Sequence, residues 1–332
     1  MPEIRQNMAT KEWVIIATER AKRPEDFICE KKTLTENKPA HVSSCPFCPG
    51  NESKTPPEVF HISDEKGWLV RVTPNKFSAL NDSGERIRCF DGINRSMTGV
   101  GFHEVVIESP LHNSTIALLS PSHIELIFKT YKNRMEELYK DKRIELIIPF
   151  KNHGESAGTS LEHPHSQIIA LPLIPHNVRT RIEESIRYFD DNGECVHCRV
   201  IQDEIYCSER LVCNSEHFVS FIPYAAFSPF HIWIYPKKHN ASYTSITDEE
   251  IRDLAFVMKT TLLKLYKGLG EPDYNYVIRT SPKDEGNNEA LHWYISLIPR
   301  ITKTAGFELG SGMFINTALP EKSAEFLRNI QI

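Results

Sequence analysis

The chain has 332 residues, 40% hydrophobic and 25% charged, with a formal net charge of −5. That length suits two domains or one large one with a substantial core, and the acidic balance excludes a broad nucleic-acid or membrane footprint. No apolar run reaches membrane-spanning length and residues 1–5 open no apolar leader, so the expected location is cytoplasmic, where the eight cysteines imply metal sites or free thiols rather than disulfides.

In chain order, the first chemical feature is Glu19-Arg20-Ala21-Lys22-Arg23-Pro24, three cations within four residues. Such a cluster suits phosphate contacts or a solvated face. Cys45-Pro46-Phe47-Cys48 follows, a spacing that lets two thiolates clamp one Zn²⁺. Residues 102–113 are expected to give a strand, a Pro-containing turn and then His112-Asn113. Ser120-Pro121 starts a helix, with Ser as N-cap and Pro in the first turn. Residues 143–150 form the next strand. The loop from Asn152 to Ser160, rich in small and hydroxyl residues, can present backbone N–H groups to an anion. It leads into residues 163–172, a short apolar strand opened by His163-Pro164-His165-Ser166-Gln167. Imidazoles two residues apart on a strand share a face, so one can be fixed while the other stays free to attack.

A connector helix is expected from Val178 to Phe189, and a second Cys-x-x-Cys pair follows at Cys195 and Cys198. The elements then recur. Phe230-His231-Ile232-Trp233-Ile234 echoes Phe102-His103-Glu104-Val105-Val106, and His239-Asn240 echoes His112-Asn113. Thr247 with Asp248, Glu249 and Glu250 starts another helix. A strand at residues 275–280 and a His-led strand at 292–299 complete the copy. The offset stays at roughly 128 residues throughout. The fold expected is α+β, two tandem halves of an antiparallel sheet crossed by a helix, divided as residues 1–177 and 178–332.

The copies differ where chemistry is concentrated. His163-Pro164-His165 in the first is His292-Trp293-Tyr294 in the second, so whatever His165 does, only the first half does it. Each Cys-x-x-Cys pair precedes one copy, and each copy supplies two aligned histidines. The expected metal sets are Cys45, Cys48, His112 and His163, and Cys195, Cys198, His239 and His292, two closed structural zinc sites. His197 competes as a ligand for the second. His103, His217 and His231 are expected to be structural, as are Cys29, Cys89, Cys207 and Cys213. With His163 tied to zinc, His165 is aimed into the cleft as a neutral imidazole nucleophile toward phosphorus. Gln167, on the same strand face, can donate its amide to an oxygen that gains charge.

On these motifs, together with Trp13-Val14-Ile15, Gly101-Phe102-His103-Glu104-Val105-Val106 and Gly306-Phe307-Glu308-Leu309-Gly310-Ser311-Gly312, the chain resembles the galactose-1-phosphate uridylyltransferase family of the histidine-triad superfamily, nearly end to end. The resemblance implies two histidine-triad-like halves, a homodimer, and a ping-pong mechanism in which His165 carries UMP from UDP-glucose to galactose 1-phosphate. It implies that Gln167, Asn152, Gly158, Thr159 and Ser160 hold the phosphates, with Arg20 and Arg23 nearby. Asn75 and Lys76 fall in the nucleoside-binding segment, and Phe307, Glu308, Gly310 and Gly312 approach the sugar phosphate. The partners expected are a nucleotide sugar and a hexose 1-phosphate. The family's best-known members have Gly in place of Ser166. A branch with Ser there and a complete second zinc site includes ADP-glucose phosphorylases, which carry adenylate and use phosphate as acceptor. Two rivals stand: a non-catalytic zinc-stabilised binding module, which leaves the loss of the second histidine unexplained, and a hydrolase of the same superfamily, in which a third His replaces Gln167.

Overall fold

The structure, a computed structural model of the chain, describes residues 1–18, 22–29 and 33–332. The first half contains β1 (Glu3–Gln6), β2 (Trp13–Ile16), β3 (Phe60–Asp64), β4 (Gly67–Pro74), β5 (Arg88–Asp91), β6 (Asn94–Met97), β7 (Phe102–Ile107), α1 (Pro121–Leu138), β8 (Leu146–His153) and β9 (His165–Leu171). The remainder contains α2 (His176–Asn192), α3 (Val196–Cys207), β10 (Leu211–Asn214), β11 (Phe218–Phe221), β12 (Ile232–Pro236), α4 (Asp248–Leu269), β13 (Tyr274–Arg279), β14 (Tyr294–Pro299), α5 (Gly306–Ser311), β15 (Phe314–Asn316) and α6 (Pro320–Asn329).

Ten strands form one antiparallel sheet in the order β10-β11-β12-β14-β13-β8-β9-β7-β4-β3. The order mirrors itself about the β8–β13 junction, where Asn152 lies opposite Asn275 and Phe150 opposite Val277. This pairing stops next to Pro149, which has no N–H to donate. The repeat is therefore longer than its sequence echo, because the β3–β4 hairpin also answers β10–β11. The strand expected at 143–150 runs later, from Leu146 to His153, and so carries Asn152 within the sheet.

Side-chain alternation splits the sheet into two faces. On β9, Ile168 and Ala170 point into a core shared with Val72, Val106 and Ile147 of the first half and Ile234, Ile295 and Leu297 of the second. Helices α1 and α4 cover this face through Ile124, Ile127, Phe128, Leu254, Val257 and Met258. Each such side chain contributes about 1.5–3 kcal/mol when fully buried. The two helices start as their caps require. Ser120 Oγ accepts from the backbone N–H of His123, and Thr247 and Glu250 form a capping box. Arg134 of α1 grips Glu104 of β7 through two buried hydrogen bonds of 2.9 and 2.7 Å.

The opposite face is covered differently in each half. Over the first lies the Cys45–Cys48 segment, whose Phe47 packs with Val105 and Ile107. Over the second lies α3, whose Val196 and Ile201 pack on Phe221, Trp233, Tyr235 and Tyr294. Residues 306–312 form α5 and its cap, which lead into β15, paired in parallel with β2 in a three-stranded sheet. Among the described residues, no helix is long and apolar enough to cross a membrane.

Candidate active site and metal centres

Both Cys/His quartets expected from the repeat are gathered, with each residue offering a ligand atom within 4.8 Å of the others. In the first, Cys48 Sγ lies 3.5 Å from His112 Nδ1 and 3.6 Å from His163 Nδ1, and the two Nδ1 atoms are 3.3 Å apart. A tetrahedral Zn²⁺ with ordinary Zn–S and Zn–N bonds sets S···N at about 3.5 Å and N···N at about 3.3 Å. In the second, Cys198 Sγ lies 3.3 Å from His239 Nδ1 and 3.5 Å from His292 Nδ1. The far nitrogens are held in the same way: His163 Nε2 donates to Ser109 O at 2.8 Å and His292 Nε2 to Pro236 O at 3.0 Å, leaving each Nδ1 as the lone-pair atom. His197 is turned away, its Nδ1 at 2.8 Å from the Tyr235 hydroxyl.

His163 sits just before β9, so the first quartet anchors the chain two residues ahead of His165. The rings of both histidines pack edge-on against Phe47, with centroids 6.0 and 5.3 Å away. His165 Nδ1–H donates to the His163 carbonyl at 2.8 Å, which fixes the tautomer and leaves Nε2 free. Burial pulls the His165 imidazole below its usual range, favouring the neutral form. On the helix side of the strand, Lys151 Nζ donates to the His165 carbonyl at 3.0 Å and pairs with the buried Glu108 at 2.5 Å. Ser166 also points to that side, accepting from Tyr131 at 2.6 Å, and is 1% exposed. Its hydroxyl faces the core, away from any substrate.

His165 opens onto a cleft of about 530 Å³ that Asn152, Thr159, Ser160 and His163 also line. That size accommodates a nucleotide sugar. Several acids reach the cleft but serve as structural acceptors. Glu162 pairs with Lys38 at 2.8 Å, Glu271 accepts from Thr35 N at 2.8 Å, and Asp273 accepts from Ser156 N at 2.8 Å. Asp273 holds the 154–160 loop closely. Gly154 has φ +87°, and a Cβ there would lie 1.9 Å from Asp273 Oδ1. Gly158 lies in this loop in a left-handed conformation, φ +87°.

Gln167 shares the His165 face and belongs to a chain of contacts that sequence reasoning missed, having assigned His103 a structural role. Ala79 N donates to His103 Nδ1 at 3.3 Å, so Nε2 carries the proton and donates to Gln167 Oε1 at 2.7 Å. Asn75 Nδ2 approaches the same oxygen at 3.4 Å. The Gln167 carbonyl is thus occupied and its NH₂ group is left as the donor. The signal in the sequence was parity: His103 and Gln167 face the same way across paired strands, with Val105 opposite Gln167. Lys76 is exposed beyond this cluster. Arg23 is exposed, and Phe307, Glu308, Gly310 and Gly312 lie on or beside α5, outside the cleft of their own chain. Arg20 lies outside the described residues.

Comparison with known proteins agrees with this architecture. Residues 1–175 match the family described as galactose-1-phosphate uridyl transferase, N-terminal domain, and residues 181–331 match its C-terminal domain. The chain is 38% identical to ADP-glucose phosphorylase of Arabidopsis thaliana, covering 100% of this chain and 93% of that one. It is 27% identical to galactose-1-phosphate uridylyltransferase of Thermotoga maritima, covering 100% and 99%. The structure of the Arabidopsis thaliana ADP-glucose phosphorylase with bound ADP-glucose superposes with a TM-score of 0.84 at 34% identity over 100% of both chains. With both halves matched and the catalytic-type strand in place, the chain belongs to the galactose-1-phosphate uridylyltransferase family of nucleotidyltransferases.

Proposed function

We propose that the protein transfers an adenylyl group from ADP-glucose to inorganic phosphate through a covalent nucleotidyl-His165. The observation that carries the choice of nucleotide is the 38% identity to ADP-glucose phosphorylase over the whole chain, against 27% and 29% to the uridylyltransferases of Thermotoga maritima and Haemophilus influenzae. Ser166 faces the core, so it selects no base by contact.

In this mechanism His165 Nε2, already carrying a lone pair, attacks the α-phosphorus without a separate base. The P–N bond forms as the α–β bridging P–O bond breaks, and its electron pair leaves with glucose 1-phosphate. An oxygen of inorganic phosphate then attacks the same phosphorus, the P–N bond breaks back onto Nε2, and ADP departs. Gln167 donates its amide to the phosphoryl oxygens as charge develops, and Asn152, Gly158, Thr159 and Ser160 position the phosphates. Asn75 and Lys76 meet the nucleoside. Arg20 and Arg23 contribute cations to the phosphates, and Phe307, Glu308, Gly310 and Gly312, which lie outside the cleft of their own chain, serve the partner subunit's cleft in a homodimer. The two quartets hold one Zn²⁺ each, as closed sites that stiffen the scaffold and take no part in bond changes.

Intact-protein mass spectrometry after separate incubation with ADP-glucose and UDP-glucose tests the proposal. An adenylyl adduct on His165, discharged by phosphate, is the expected result. A uridylyl adduct discharged by galactose 1-phosphate instead makes the protein a uridylyltransferase, the reading supported by the full-length Thermotoga match. No adduct with either sugar, in protein carrying both zinc ions, refutes the covalent mechanism.

A further inference from the structure

The second repeat has its own cavity where the first has its cleft, and strand register identifies the counterparts. Phe150 lies opposite Gln167 as Val277 lies opposite Ser296, and Arg279 lies opposite Tyr294. Ser296 therefore takes the place of Gln167, Tyr294 that of His165, and Arg279 that of Asn152. The bond from His231 Nε2 to Ser296 Oγ, 2.9 Å, repeats the bond from His103 to Gln167. The nucleophile is gone and a cation has been gained.

Arg279 lines a half-open space of about 70 Å³ beneath α2 and the N-terminal segment, where Arg181, Thr10, Ser281 and Tyr294 add polar groups to a largely apolar lining. Three polar atoms in this lining are buried without a hydrogen-bond partner: Arg279 Nε, Arg181 Nη1 and Ser281 Oγ. No carboxylate lines the cavity among the described residues. Glu12 stands outside it, 3.8 Å from Arg181 and 44% exposed. Burial and the neighbouring Arg181 cation pull the Arg279 guanidinium below its usual range. Among the described residues, Arg181 has only the rim carboxylate of Glu12 as counter-charge, and no carboxylate reaches Arg279 within the lining, whereas buried donors of this kind are ordinarily satisfied.

We propose that this cavity binds a compact oxyanion of the phosphate class, held between Arg279 and Arg181 with Ser281 as a further donor. Guanidinium forks match such oxyanions bidentately, and the space fits a single tetrahedral group. The site holds its ligand without reacting with it. It is independent of the adenylyl-transfer proposal.

Equilibrium dialysis of the zinc-loaded protein against radiolabelled inorganic phosphate, without nucleotide, tests the site. Arg279→Met should bind one phosphate fewer per chain than the parent protein. Arg181→Met, at the half-exposed rim, should weaken the same binding about 10- to 100-fold, the loss expected for one charge-assisted hydrogen bond. Phosphate should raise the thermal midpoint of the parent by more than that of Arg279→Met, which keeps only the His165 cleft. Competition with glucose 1-phosphate separates a free ion from the head of a small ester: the label bound by the parent but not by Arg279→Met is displaced only if esters enter this cavity, and either result upholds an oxyanion site. Equal phosphate binding by the parent and both variants overturns the proposal. If Arg279→Met fails to fold, the comparison of Arg181→Met with the parent decides alone.

Discussion

His103→Ala isolates the donor to the Gln167 carbonyl. The substitution removes the 2.7 Å bond from His103 Nε2 and leaves only the 3.4 Å approach of Asn75 Nδ2, at the long limit of a useful hydrogen bond. The carboxamide then turns about a broad, roughly two-fold torsion, and its NH₂ group spends less time toward the phosphoryl oxygens. One net hydrogen bond contributes about 0.5–1.5 kcal/mol, a roughly 2- to 12-fold slower labelling of His165 at saturating nucleotide sugar. Gln167→Ala removes the transition-state donor itself, a loss of about 10²- to 10³-fold. Because His103 acts through Gln167, the double variant should label no slower than Gln167→Ala alone. Single-turnover labelling followed by intact mass gives all four rates. If the two single effects multiply in the double variant, or if His103→Ala labels at the parent rate, the relay is wrong.

Cys48→Ser should lower the zinc content from about two to about one per chain by elemental analysis and destabilise the first half, whereas His165→Ala should abolish labelling with both zinc ions retained. His231, pushed down to about 3 by burial from an ordinary 6.5, binds its proton more readily in the unfolded chain. Its contribution to stability is complete above pH 6.5 and is lost as pH falls toward 3, at about 1.4 kcal/mol per pH unit. Between pH 6.5 and 5, urea titrations should therefore show His231→Gln losing about 2 kcal/mol less than the parent, and equal losses would contradict this. Gly154→Ala must move Asp273, since its Cβ would lie 1.9 Å from that carboxylate, so the loop loses its anchor at Ser156. An approximately tenfold rise in KM with unchanged zinc content is expected, and an unchanged KM would remove the loop from substrate binding.

The sequence made the repeat legible because strand, helix and strand recur with their caps, and the metal ligands because each Cys pair has two histidines in register. His165 stood out by its place in the His-x-His-x-Gln strand and by the contrast with Tyr294. The edge-to-edge joining of the halves was not legible, because it depends on which strand edges meet, and Asn152 opposite Asn275 has no local signature. The flanking hairpins β3–β4 and β10–β11 share too little side-chain pattern to register as a repeat. Ser166 marked the branch that includes ADP-glucose phosphorylases, and the 38% identity to one of them agrees, but its inward hydroxyl makes it a marker and not a substrate contact. Residues next to each other on a strand point to opposite faces, so a position beside the nucleophile is the one that cannot share its cleft.

That inward face explains why the first half keeps polar groups where the second is apolar. Register places Ile278 in the position of Lys151 and Ile295 in that of Ser166, and both isoleucines belong to the core. The second half packs without charges at these positions, so the fold is compatible with an apolar pair there. Buried ion pairs are often no more stable than apolar replacements. What the first half gains is a donor on the His165 carbonyl and, through Tyr131, on the Ser166 hydroxyl, which pins the backbone on the nucleophile's underside while His163 pins it from the metal side. Stability and activity should therefore separate. Lys151→Met alone strands the Glu108 carboxylate and should cost about 3–5 kcal/mol. Adding Glu108→Leu should recover most of that loss in urea unfolding while His165 labelling stays slow, because the carbonyl still lacks its donor. A paired variant that regains both stability and the parent labelling rate would show that the network serves folding alone.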